Sequence, residues 1–233
     1  MSQPHILVLG AGGSTGRELV AQALARGCRV IAADRHQLDE PQREGCTYAV
    51  VDVLDEDSLV RAVEGVDVVA SAIGLPMGSP KTLLDPPPLF TEGTRNIIAA
   101  MRKSGVARLV VISATFVETI RRGPIWFEAA AMTALSGIFE HMHEMEDLLR
   151  AAPDIEWTAV RPGWLLDAPY TGDYTVSEDV IPEDHIRTRV PDLADFMLRC
   201  ALDGEHVRAT PAISRAEDPS ASSPIKVVEE LAD

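Results

Sequence analysis

The chain is predicted to be an α/β protein built on one doubly wound parallel sheet, with helices on both faces and a small substrate-side insert. Three observations predict it. Short Val- and Ile-rich runs alternate with helix-like segments through the first half, a rhythm that implies parallel strands joined by right-handed crossovers. The runs are nearly continuous in apolarity, as strands buried on both faces are. The first run leads straight into Gly10-Ala-Gly-Gly-Ser-Thr-Gly16, which opens a helical stretch.

The predicted strands are His5–Gly10, Arg29–Asp34, Tyr48–Val53, Asp67–Gly74 and Arg108–Ser113, with helices over Thr15–Arg26, Ser58–Glu64 and Leu89–Lys103 between them. Gly27, Gly65 and Gly105 stand where helix C-termini are expected. In the second half, Ile138–Arg150 reads as a helix and Glu156–Val160 as a sixth strand. Pro191–Leu202 reads as a helix with proline in its first turn. Pro76–Pro88 holds five prolines and is expected to be a loop or lid, while Thr171–Arg189 is polar without a clear period. The sequence shows no repeat and no second core. It is read as one dinucleotide-binding domain over residues 1–215, including loops 76–88, 114–137 and 164–190. An acidic tail, expected to be flexible, follows over 216–233, in which Ile225–Leu231 is a candidate terminal helix.

Composition narrows the function. The 233 residues carry a net charge of −15 and include three lysines, Lys81, Lys103 and Lys226, which argues against a protein that tracks nucleic-acid phosphates or anionic lipid. Cys28, Cys46 and Cys200 are widely spaced and form no CxxC pair. They read as core residues rather than disulfide or zinc ligands, and no metal site is expected. The opening apolar run, Ile6 to Leu9, is too short for a signal peptide, and no stretch suits a membrane span. A cytoplasmic protein is expected, either a monomer or a small homo-oligomer.

The glycine loop carries the chemistry. A strand that turns sharply into a helix needs positive φ at Gly10. A side chain at Gly13 would collide with an approaching pyrophosphate, and Gly16 allows close packing of the helix. The helix N-terminus, at Ser14 and Thr15, then offers free N–H groups to phosphate. The second strand ends at Asp34, 18 positions after Gly16, and Arg35 follows. An acid there suits the ribose hydroxyls of NAD, whereas an arginine suits the 2′-phosphate of NADP, so the two signals conflict. Asp52 and Val53 are placed to hold the adenine edge, and Ala72 and Gly74 to leave room for the nicotinamide-side ribose, all at carboxyl ends of strands. A turn role is the competing reading for Asp52.

With these residues in view, the loop, Thr94–Ser113 and Glu146–Gly163 resemble the atypical short-chain dehydrogenase/reductases of the NmrA-like and biliverdin reductase B/flavin reductase-like groups. The nearest likeness is to the second group, over Trp157–Val176 and Asp192–Cys200. The resemblance implies hydride transfer from NADPH to planar acceptors such as flavins or linear tetrapyrroles; a quinone is a further candidate acceptor, and NADP is favoured with NAD the alternative. It also implies that Gly10, Ser14, Thr15 and Gly16 hold pyrophosphate, that Arg35 holds the 2′-phosphate, that Pro162 borders the cofactor, and that Ser113 and Thr115 lie near the nicotinamide and substrate. The sequence departs from that pattern at Asp34, usually apolar, and at Trp164, where the second group has a histidine.

The wider superfamily uses a tyrosine with a lysine four residues on. None of Tyr48, Tyr170 and Tyr174 is followed so. Phe139 and His143 are read at the pair's positions, leaving His141 and His143 as acid–base candidates. Trp126, Phe127 and Trp164, with Met132, Met142 and Met145, are candidates to line an apolar pocket for a flat ligand. The leading expectation is an NAD(P)H-dependent reductase of a planar conjugated acceptor, which needs no dedicated acid. The alternatives are a non-catalytic NAD(P) sensor with a protein partner, and a lyase, isomerase or cyclase using His141, His143 or Asp173.

Overall fold

The computed structural model describes residues 3–75, 85–119 and 135–218. Its strands are β1 (His5–Leu9), β2 (Arg29–Asp34), β3 (Cys46–Val50), β4 (Val68–Ser71), β5 (Arg108–Ile112), β6 (Glu156–Pro162), β7 (Trp164–Leu166), β8 (Thr175–Glu178), β9 (Arg187–Arg189) and β10 (Pro211–Ser214). Its helices are α1 (Ser14–Ala25), α2 (Glu56–Val63), α3 (Glu92–Ser104), the single turn α4 (Phe116–Thr119), α5 (Ser136–Arg150) and α6 (Val190–Asp203). The main sheet runs β3-β2-β1-β4-β5-β6-β10-β8, and β7 and β9 form a separate parallel pair.

Alternation along each strand builds the two faces. Ile6 and Val8 of β1, with Val30, Ala32, Val110 and Val160, point to the layer of α1 and α6. Leu7 and Leu9, with Val69, Leu109, Val111 and Ala159, point to α2, α3 and α5. A strand apolar at every position is thereby buried on both sides. The order reverses between β1 and β4, because the chain returns from β3 to the other side of β1. That opens a crevice at the carboxyl ends of these two strands. All three cysteines are free and buried. Among the described residues, no helix is long and apolar enough to cross a membrane.

The expected doubly wound, mostly parallel sheet is present, and β8 adds an antiparallel edge beside β10. Other expectations are corrected. The polar 171–189 segment contributes β8 and β9, strands of four and three residues, too short to show a period. It is tied down by Asp192, fully buried at the start of α6, whose carboxylate accepts the Thr171 and Gly172 N–H groups (2.8 and 3.0 Å) and the Thr171 hydroxyl (2.7 Å). The tail also begins anchored, because Glu217 takes a two-pronged hydrogen bond from Arg189 and lies 3.1 Å from Arg215. These arginines hold the Glu217 carboxyl below its ordinary pKa. Helix α2 starts two residues before its predicted position, because Asp55 caps it by accepting the Asp57 and Ser58 N–H groups.

Arg108 carries the far end of the fold. Buried beneath α6, it donates to the Cys200 and Glu205 carbonyls at that helix's C-terminus, to the Glu156 carbonyl and to the Thr158 hydroxyl. Arg108→Met would strand these acceptors in the interior. Urea unfolding should show a loss of about 3 kcal/mol, and a loss near zero would refute that role.

Candidate functional site

A cavity of roughly 1100 Å³ lies along the carboxyl ends of the central strands. At its floor Gly10 takes φ +76°, and a Cβ there would meet the Ala72 carbonyl oxygen at 2.8 Å. Only glycine permits that conformation together with that approach of β1 to β4. At Gly16 an added Cβ would sit 2.0 Å from the Gly10 carbonyl oxygen. Gly16 therefore seats the helix on the loop itself, and it does not line the cavity.

Gly13 is different. It is exposed, lines the cavity, and a Cβ there would make only an ordinary 3.5 Å contact with Gly10. Gly74 also lines the cavity, with nothing within 4 Å of an added Cβ. Among the described residues, the protein's own packing requires no glycine at either position, so both leave the cavity open. Helix α1 begins at the same place with no side-chain cap and no acidic residue in its first turn, leaving its N–H groups and dipole for an anion. These residues fit the pyrophosphate of a dinucleotide.

One end of the cavity is acidic. Asp34, half-buried, accepts the Gly12 N–H at 3.0 Å and the His36 N–H at 3.3 Å, one on each carboxylate oxygen. Arg35 is exposed beside it, and both line the cavity. Asp52 and Val53 also line this end. Asp52 makes the turn contact as well, accepting the Leu54 N–H at 2.9 Å. The Val53 carbonyl is fixed by the Asn96 side chain (2.9 Å).

The other end is mainly aromatic and apolar, with the exposed Asp167 also in the lining. Phe116 stands 5.7 Å from Phe139 and 6.4 Å from Trp164, ring centre to ring centre, and all three line the cavity. Helix α5 contributes Ile138, Phe139 and Met142, with Leu135 just before it. The pair spaced four apart that faces the cavity is therefore Ile138 and Met142. Phe139 and His143 were the predicted pair, but His143 is exposed, 3.7 Å from Asp147 and outside the lining. His141 is also outside the lining, with its Nδ1 buried and unbonded. Thr115, fully buried and likewise outside it, accepts the Ile181 N–H at 3.2 Å. Asp173 lies at the surface, 3.4 Å from Arg215. Tyr174 donates to Asp195 at 2.6 Å, and burial raises its pKa above the ordinary tyrosine value. Pro162, Ala72 and Trp164 line the cavity as expected, whereas Met145 is core. Trp126, Phe127 and Met132 lie outside the described residues.

A buried charged cluster backs this end, and sequence reading missed it. Glu146 on α5 is fully buried and receives Arg161 in a two-pronged bond (2.9 and 2.6 Å), Arg150 (2.9 Å) and the Ser113 hydroxyl (2.7 Å). Arg161 also reaches Glu118 (3.2 Å) and the Asp179 carbonyl (3.0 Å). A signal was present, since Ile138, Met142 and Glu146 fall at successive fours on one helix stripe and Arg161 interrupts an apolar strand. A charge in each of two buried surfaces asks for a partner in the other. Gly163 follows, where a Cβ would meet the Ile186 carbonyl oxygen at 2.5 Å, so β7 can cross close to the residues before β9.

Comparison with known proteins agrees with this geometry. A family model described as NAD(P)H-binding matches residues 10–204. An uncharacterized chloroplastic protein of Arabidopsis thaliana is 28% identical over 225 residues, covering 93% of this chain and 79% of its own length. The chloroplastic divinyl chlorophyllide a 8-vinyl-reductase of the same plant is 31% identical over 146 residues, covering 55% of this chain and 34% of its own length. A wide-type short-chain dehydrogenase/reductase of Veillonella parvula, solved with NADP, superposes with a TM-score of 0.74 at 16% identity, covering 92% of this chain and 95% of that one.

Proposed function

Because the chain belongs to the NAD(P)H-binding family of atypical short-chain dehydrogenase/reductases, we propose that it is an oxidoreductase passing hydride to a planar conjugated acceptor of the flavin, quinone or tetrapyrrole type. The observation that carries this reading is the wall at the far end of the cavity. Phe116, Phe139 and Trp164 offer flat apolar faces. The helix positions facing it, Ile138 and Met142, have no proton to give.

The loop at Gly10–Thr15 and the N-terminus of α1 would hold the cofactor's pyrophosphate, with Asp34 beside the adenosine ribose. A bound reduced nicotinamide supplies the hydride. The chain's contribution is orientation: the aromatic wall holds a flat acceptor against the cofactor ring and excludes water from between them. A conjugated acceptor delocalises the incoming electron pair and takes its proton from solvent, so it needs no dedicated acid from the wall. The reductase named above, which by its description acts on a chlorophyllide, is consistent with acceptors of this shape. For the cofactor we favour NADH, since Asp34 lines the cavity at the end of β2 with its carboxylate anchored by the Gly12 and His36 N–H groups, and an acid there suits ribose hydroxyls better than a 2′-phosphate.

Steady-state oxidation of NADH and NADPH with a flavin, a quinone, a tetrapyrrole and a simple aliphatic ketone tests the proposal. Turnover is expected with at least one planar acceptor and none with the ketone. Tight nucleotide binding with no turnover of any acceptor would overturn it in favour of a sensor.

A further inference from the structure

Ser113 is the hydroxyl nearest the reacting end of the cavity, and its environment fixes what it can do. It follows β5, two strands and so about 10 Å from the glycine loop after β1. It lines the cavity while being only 1% exposed. Its one proton goes to Glu146 Oε1, behind it at 2.7 Å. Each Glu146 oxygen takes two donors: Oε1 from Ser113 and Arg161 Nε, Oε2 from Arg161 Nη2 and Arg150 Nη2. Guanidinium groups only donate, so the carboxylate is the acceptor throughout and its lone-pair positions are filled. The Ser113 proton cannot be released into the cavity without leaving a buried carboxylate oxygen short of a partner.

We propose that Ser113 faces the cavity as a hydrogen-bond acceptor only, fixed so by Glu146 as a positioning residue, and that it selects a ligand N–H group at the hydride-transfer end of the site. This rests on the cofactor-binding reading above. Two sources supply such a donor: the carboxamide NH₂ of the nicotinamide, and a lactam or pyrrole N–H on the acceptor. In either case Ser113 neither polarises a carbonyl oxygen nor protonates a developing anion.

The test uses NADH and its 3-acetylpyridine analogue, in which methyl replaces the amide NH₂, with binding read by calorimetry without acceptor. If Ser113 takes the carboxamide, wild type binds the analogue about tenfold more weakly and Ser113→Ala binds both equally. If it takes the acceptor, both nucleotides bind alike. Ser113→Ala then raises the KM of an N–H-bearing flavin about tenfold but not that of an N–H-free quinone. Glu146→Gln, which turns an amide N–H toward Ser113, should collapse whichever discrimination wild type shows, a ratio that a merely structural role would not move. The analogue measurement on wild type needs no variant to fold. Equal binding together with unchanged flavin KM in Ser113→Ala overturns the proposal. Absence of binding by either nucleotide overturns the cofactor reading as well, and calorimetry registers that outcome separately.

Discussion

Gly13→Asp should fold as well as wild type and bind nicotinamide nucleotide about a thousandfold more weakly. Gly13 sits at φ −75°, ψ 168°, a conformation open to any residue, and an added Cβ meets only the Gly10 carbonyl oxygen, at 3.5 Å. It is also the uncapped N-terminus of α1, where aspartate is a preferred residue. The new carboxylate would bond N–H groups that now stand free, raising stability by a few tenths of a kcal/mol. Those are the groups a pyrophosphate needs. Two like charges about 4 Å apart at an effective dielectric of about 20 repel by about 4 kcal/mol, on the order of a thousandfold in affinity. The two readouts therefore move in opposite directions: a Tm at or above wild type, and binding lost by calorimetry. Gly16→Ala is the control, since its Cβ would lie 2.0 Å from the Gly10 carbonyl oxygen and the variant should fail to fold. Undiminished nucleotide binding by Gly13→Asp would remove the glycine loop from the cofactor site.

The contrast between these two glycines shows what the sequence makes legible. The spacing of Gly10, Gly13 and Gly16 after a buried strand encodes a loop whose constraints are local, so strand, turn and helix could be read together. The central strands were readable for the same reason: Ile6–Leu9 and Leu109–Ile112 are apolar because both their faces are covered. What stayed hidden depends on partners distant in the chain. Glu146 reads as one more charge on an amphipathic helix until Arg161 and Ser113 are brought to it. Strands β7, β8 and β9, of three or four residues, are set by the pairing of β8 with β10 and of β7 with β9, by Asp192 holding Thr171 and Gly172, and by Gly163 passing Ile186. None of those contacts leaves a period in the sequence.

The histidines show the same limit from the other side. An imidazole on a helix beside a cofactor fold is a reasonable acid by residue type, but type does not fix azimuth. On α5 one step of the helix turns His143 to solvent while Met142 faces the cavity. The apolar wall and the outward His143 are thus one fact about the rotation of a single helix.

Cofactor choice should turn on one charge. Asp34→Asn keeps an acceptor oxygen for the Gly12 N–H and removes the negative charge at the proposed adenosine-ribose position. Full like-charge repulsion there would be about 4 kcal/mol, but Asp34 is half-buried and Arg35 beside it is exposed, so solvent and the neighbouring cation screen part of it. The ratio of NADPH to NADH affinity should therefore rise by roughly ten- to a hundredfold. Weaker NADH binding contributes to the change, because a carboxylate accepts from ribose hydroxyls more strongly than an amide does. Arg35 then becomes the obvious partner for the 2′-phosphate. Adding Arg35→Ala to Asp34→Asn should cancel most of the gain for NADPH while leaving NADH unmoved. Arg35→Ala alone, with Asp34 still charged, should change NADPH affinity much less. That non-additivity is the signature of two charges competing over one phosphate position. A ratio that stays fixed in Asp34→Asn would place the adenosine 2′ position away from the end of β2, and the preference for NADH would fall with it.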